Sequence, residues 1–161
     1  MTDKKQAIRA SIAAHLLATG ISGHGIRALA KAADTSDRML IYYFSSKDEL
    51  LRESLMMIVD GLSIQLDQEV GDTRQSCTDL LETLTLLCQR PDWRPMTSLW
   101  FEIVGLAARG QEPFQSVACE IADAFIEWIA QHLPESEKSR AADLFAHLEG
   151  RMLLMLIGRR L

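Results

Sequence analysis

The run of residues 26–51, IRALAKAADTSDRMLIYYFSSKDELL, constrains the fold more than any other part of the 161-residue chain. Ile26, Leu29, Ala30 and Ala33 fall at helical spacing and predict a short helix over 26–33. Asp34-Thr35-Ser36 interrupts it. Ser36 is a good N-cap for a second helix over 37–43, because its side-chain oxygen can accept from a free backbone N–H of the first turn. Leu40 and Phe44, four residues apart, anchor that helix. Ser46 and Glu49 then stand at capping-box spacing and open a third helix. Two short helices across a tight turn, followed by a capped third, can hold one short helix out from a supporting core.

The rest of the sequence supplies that support and continues in the same period. Ile8, Ile12 and Leu16 recur every four residues and predict a helix over 5–19, with Gly20 at the place of a left-handed C-terminal cap. Residues 20–25, GISGHG, read as a connector: the glycine order is not that of a dinucleotide cradle and no strand precedes it. Leu51, Leu55, Ile58, Leu62 and Leu66 extend the third helix of the opening run to about Gly71. Asp72 or Thr73 is expected to cap the next helix, whose apolar face is Leu80, Leu81, Leu84, Leu87 and Cys88. Residues 90–95, RPDWRP, stop it. Further helices are expected over 96–108, 114–133 and 136–157. Aromatics make up 6% of residues and β-branched runs are scarce, which counts against an all-β fold. The expected fold is all-α. A three-helix helix-turn-helix domain over 1–46 is followed by a helical bundle over 47–161.

Charge divides the chain at a similar place. Net charge is −5, yet residues 1–52 hold eight Lys/Arg against five Asp/Glu, and the remainder holds nine against seventeen. A basic head on an acidic body places any phosphate contact in the head. The longest apolar run, 152–157, is far too short to cross a bilayer, and no apolar leader opens the sequence. No membrane association is expected, and a cytoplasmic location is. The three cysteines form no CxxC pair. Cys77 and Cys88, expected on one helix, would lie roughly 16 Å apart, too far for a disulfide, so reduced thiols are expected.

A short helix presented on a three-helix support suits the major groove of DNA. Ser36, Asp37, Arg38, Met39, Tyr42 and Tyr43 are expected on or near its outer surface. Arg38 has the two parallel donors that read guanine. Arg27, at the start of the preceding helix, is a second candidate for a base or phosphate. The tyrosine hydroxyls and Lys47 are placed for the backbone. Asp37 is expected to repel phosphate unless it accepts from cytosine or holds Arg38. The sequence here resembles the TetR family of transcriptional regulators. The matching residues are Gly20, Ile26-Arg27, Leu29-Ala30, Ala33, Ser36, Leu40, Tyr42, Phe44, Ser46-Lys47 and Glu49-Leu50. It departs from the family pattern at Gly25, Asp34, Arg38, Met39, Ile41 and Tyr43, so the family's known operators do not transfer. The resemblance implies a homodimer that binds a palindromic double-stranded operator and releases it on binding a small molecule.

In the body, Cys88, Trp93, Met96, Trp100, Phe101 and Phe125 are candidates to line an apolar ligand cavity. Ordinary core is the rival reading for each of them. Glu102 and Glu149 interrupt apolar stretches, where either could meet a cationic ligand. Phe125, Trp128, Leu144, Leu148 and Met152 lie on arcs too wide for one surface and are candidates for a two-fold helical interface. No HExxH, GxSxG or Walker pattern and no metal-ligand spacing is present, so no enzyme activity, catalytic residue, metal or cofactor is expected. The alternatives are a ligand-independent DNA-binding dimer in chromosome organisation or division, and an all-α enzyme without a recognisable motif.

Overall fold

The structure is a computed structural model that describes residues 2–159. Among these residues it is all-helical, as the apolar spacing predicts. The α-helices are α1 (Thr2–Thr19), α2 (Ile26–Ala32), α3 (Asp37–Phe44), α4 (Lys47–Val70), α5 (Cys77–Gln89), α6 (Arg94–Ala107), α7 (Phe114–His132) and α8 (Ala141–Leu156). Short 3₁₀ turns at Pro91–Trp93 and Glu135–Arg140 precede α6 and α8. By packing, the chain forms two compact units. One comprises Met1–Gly61 with Glu102–Ala118, the other Leu62–Phe101 with Cys119–Leu161.

In the first unit the expected stripes are buried. Ile8, Ile12 and Leu16 of α1, Leu29 and Ala30 of α2, Leu40 and Phe44 of α3, and Leu50, Leu51, Leu55 and Ile58 of α4 all lie in the interior. Each such large side chain contributes roughly 1.5–3 kcal/mol on leaving water. Ile26 and Ala33, expected inward, are half-buried. Gly20 ends α1 at φ +79°, its N–H donating to the Leu16 carbonyl at 2.8 Å. This is the left-handed cap that a residue without Cβ adopts most easily. An ion-pair group ties α1 to α4. Lys5 Nζ lies 2.6 Å from Glu53 Oε1, and an Arg9 guanidinium nitrogen 3.7 Å from Glu53 Oε2. Lys5 also sits 5.0 Å from the centre of the Phe44 ring.

In the second unit, α5 and α8 pack along each other, and the 3₁₀ turns pack against them. The cap of α5 is Ser76, not Asp72 or Thr73: its Oγ accepts from the Asp79 N–H at 3.2 Å. Residues 71–76 are mostly polar, and the local pattern does not choose among them. Long-range bonds do. The Gln75 N–H donates to the His132 carbonyl at 2.9 Å, and the Cys77 N–H to Glu137 Oε2 at 2.6 Å. The last helix begins at Ala141 instead of 136, because residues 135–140 take the tighter 3₁₀ form after Pro134. The two cysteines of α5 are free, as is Cys119.

The expected two-fold interface residues are placed differently. Trp128, Leu144, Leu148 and Met152 are buried in the second unit's own core, and Phe125 packs against that core. The wide apolar arc of α8 is occupied by α5. The Trp128 ring stacks on His132, and its Nε1 donates to Asp67 Oδ1 at 2.7 Å. Leu153 and Leu154 at the end of α8, and Ile157 just after it, stand in solvent.

Candidate nucleic-acid interface

The link between α2 and α3 is a two-bond helix terminus. Asp34 takes φ +47°, its N–H donates to the Lys31 carbonyl at 3.2 Å, and the Thr35 N–H donates to the Ala30 carbonyl at 3.0 Å. This is the Schellman pattern, with aspartate in the position that usually holds glycine. The chain then reverses into Ser36, whose extended backbone and Oγ cap α3 by accepting from the Met39 N–H at 3.3 Å. Leu40 and Phe44, 0% and 1% exposed, pin the inner side of α3. Their burial turns the opposite side of the helix to solvent.

The expected residues lie on α3 and at the neighbouring ends of α2 and α4. Arg27, Ser36, Arg38 and Tyr42 are exposed, while Asp37, Met39, Tyr43 and Lys47 are half-buried. Of the two tyrosines, Tyr43 packs and Tyr42 stands out at 63% exposure; the rings meet edge to face with centres 5.2 Å apart. Asp37 pairs with Arg27 at 3.6 Å, not with Arg38. The Arg27 side chain is 93% exposed. A pair so open to water contributes about 0–1 kcal/mol and leaves Arg27 free to exchange its partner. Among the described residues no carboxylate pairs with Arg38. Ile41, absent from the expected set, is 43% exposed on the same helix. It lies one residue past Leu40, about 100° round the helix from the buried side, which is the signal that places it.

The Ser46 half of the expected capping box forms, with Oγ accepting from the Glu49 N–H at 3.1 Å. The reciprocal half does not: the Ser46 N–H donates to the Phe44 carbonyl, and Glu49 lies 3.9 Å from Arg52. Lys5 and Arg9, counted in the basic head, are spent on Glu53. The positive charge left outward in this unit includes Lys31 and Arg38, with Lys47 half-buried at the start of α4.

Glu102 was a candidate for a cationic ligand. In the structure it clamps the α1–α2 loop. Its carboxylate accepts from the Ile21 N–H at 2.8 Å, the Ser22 N–H at 2.7 Å and the Ser22 hydroxyl. Partial burial pushes the carboxyl pKa up, but the hydrogen bonds from Ser22 and Ile21 outweigh it and hold the value below the usual carboxylate range. A Cβ on Gly20 would stand 2.6 Å from Glu102 Oε2 and would push that carboxylate out of its clamp, so glycine here serves the clamp as well as the positive φ.

Residues 11–54, from within α1 to within α4, match the family model described as bacterial regulatory proteins, tetR family. The chain has the fold of a TetR-family transcriptional regulator. A protein described as a transcriptional regulator from Streptomyces coelicolor A3(2) aligns with it at a TM-score of 0.78 and 22% identity, over 98% of this chain and 90% of that one. A protein described as a TetR-family transcriptional regulator from a Rhodococcus species gives 0.73 and 22%, over 99% and 90%. The multidrug binding protein EbrR, in complex with proflavin, gives 0.69 and 22%, over 96% and 89%. No curated protein matches the sequence.

The ligand candidates of this TetR-family fold gather in the second unit. Trp93 is buried in its core, and Cys88, Met96, Trp100, Phe101 and Phe125 pack against that core. The rings fill space against each other: Phe125 stacks on Phe145 at 6.0 Å, and Trp100 lies 6.3 Å from the same ring. Trp100 Nε1 donates to Glu149 Oε1 at 2.9 Å, so Glu149 serves a core aromatic. His147 is exposed, with its ring bonded to the Asp143 carbonyl. A cavity of about 600 Å³ lies in this unit, and of the six candidates only Cys88 lines it. Among the described residues no group of His, Cys, Asp and Glu is arranged to hold a metal, and no helix is long and apolar enough to cross a membrane.

Proposed function

We propose that the chain is a sequence-specific, double-stranded-DNA-binding transcriptional regulator that acts as a homodimer in the cytoplasm. Residues 1–46 are its DNA-binding head and residues 47–161 its regulatory and dimerisation part. It represses from a palindromic operator and lets go when a small molecule binds the second part. One observation carries the reading. The outer side of α3 holds Arg38 in solvent, with no carboxylate partner among the described residues, on a helix pinned from beneath by Leu40 and Phe44. An unpaired cation on a pinned helix suits an acceptor pair on a base edge, a contact of about 1–3 kcal/mol. Ile41 beside it offers an apolar surface to a thymine methyl. Arg27, Lys31 and Lys47 supply phosphate contacts.

The test is selection of bound sequences from a random duplex pool, followed by Arg38→Ala on the selected site. The expected outcome is a two-fold symmetric site whose affinity falls about 5- to 150-fold in the variant, with the circular dichroism spectrum unchanged. An affinity equal to wild type would remove Arg38 from the reading surface. A pool that yields no preferred sequence would overturn the regulator reading.

A further inference from the structure

We infer that the second unit carries a binding site for a monocarboxylate with an apolar tail, in the cavity formed by the C-terminal ends of α5 and α8 and the start of α6. The cavity of about 600 Å³ lies within the range of small-molecule sites. Its lining has two parts of opposite character. Cys88, Met152, Met155 and Leu156 are buried or half-buried and make an apolar floor. Arg90, Arg94 and Arg159 stand at the rim. Residues 53–161 hold only nine basic residues against seventeen acidic, yet among the described residues three arginines line this one space and no acidic residue does.

The three arginines are not equivalent. Arg90 is engaged by Glu69 at 2.6 Å and Asp92 at 2.7 Å. Arg94 and Arg159 have no carboxylate partner among the described residues. The backbone of Arg159 is also fixed in place. Gly158 takes φ +82° and donates to the Met155 carbonyl at 3.0 Å, and the Arg159 N–H donates to the Leu154 carbonyl at 2.9 Å. That two-bond terminus sets the Arg159 backbone at the rim.

The polar groups of the floor do not compete for an anion. The Thr97 hydroxyl donates to the Trp93 carbonyl at 3.1 Å, so its proton is committed. Burial pushes the Cys88 thiol up to about 11, so it is uncharged at neutral pH. A ligand here therefore meets unpaired guanidinium at one side and thioether and aliphatic carbon at the other. A carboxylate matches the guanidinium donors in geometry. An apolar tail covers the methionines, which a bare inorganic anion would leave wet.

The inference goes beyond the DNA-binding reading and does not rest on it, since its test needs no DNA. Titration calorimetry on the full chain compares octanoate, octylammonium and acetate. Octanoate is expected to bind at least tenfold more tightly than either of the others. The Arg94→Gln/Arg159→Gln double variant is expected to lose at least tenfold in octanoate affinity while keeping its circular dichroism spectrum, because both side chains stand in solvent. Octylammonium bound as tightly as octanoate would overturn the charge assignment. Acetate bound as tightly would reduce the site to an ion contact and overturn the tail. Unchanged octanoate affinity in the double variant would remove the arginines, and with them the proposal.

Discussion

At the scale of single residues, Glu102 ties a loop to its charge state. Its carboxylate takes three donors from Ile21 and Ser22, and those bonds hold its pKa below the ordinary value of 4.5. A group whose folded pKa is depressed adds stability above its unfolded value and loses it as pH falls through the folded one. Unfolding free energy should therefore decline below about pH 4.5, and part of that decline should disappear in Glu102→Gln. At pH 7 the same variant should be about 1–2 kcal/mol less stable, because the amide cannot replace charge-assisted bonds to two N–H groups and a hydroxyl. Urea unfolding across pH 3–7 checks both. A variant with the wild-type acid profile would show that the clamp is not the titrating element.

Helices come next, and here local chemistry and long-range contact part company. The α2–turn–α3 unit was legible because every signal in it lies within a few residues: Ser36 at the cap, Leu40 and Phe44 at i, i+4, and a polar break between the helices. Asp34, where the sequence departs from the family pattern, still takes the left-handed conformation in that break. The starts of α5 and α8 were misplaced because Ser76 and Pro134 compete with equally good neighbours, and bonds across some 57–60 residues decide between them. The Glu102 clamp, some 80 residues from its loop, and the Trp100–Glu149 bond had no local signal at all. The rim of arginines was hidden for the same reason, since Arg159 joins Arg90 and Arg94 from a stretch more than sixty residues further along the chain. The pinning of α3 gives a direct test. Leu40→Ala should cost about 2–5 kcal/mol by leaving a cavity under α3. Binding of the selected duplex should then weaken more than it does for substitutions on the outer face of α1. Denaturant midpoints and gel-shift titration measure the two effects.

For the molecule as a whole, the homodimer proposal now rests on different side chains. Trp128, Leu144, Leu148 and Met152 serve the interior, so Trp128→Asp should unfold the chain instead of separating two copies. Leu153 on the last turn of α8 and Ile157 just past its end, 47% and 68% exposed, offer apolar surface to a second copy. The Leu153→Asp/Ile157→Asp variant should run as a monomer in sedimentation with its helicity intact. A variant that stays dimeric would move the contact elsewhere.

Burial also sorts the three cysteines by chemical accessibility. Cys77 is enclosed, Cys88 holds its proton until about pH 11, and Cys119 lies in the open. A thiol reagent at pH 7.5 should thus label the native protein once and quickly, and the denatured protein three times. The count of modified sulfurs becomes a tally of intact molecules, readable by mass without dye, duplex or effector.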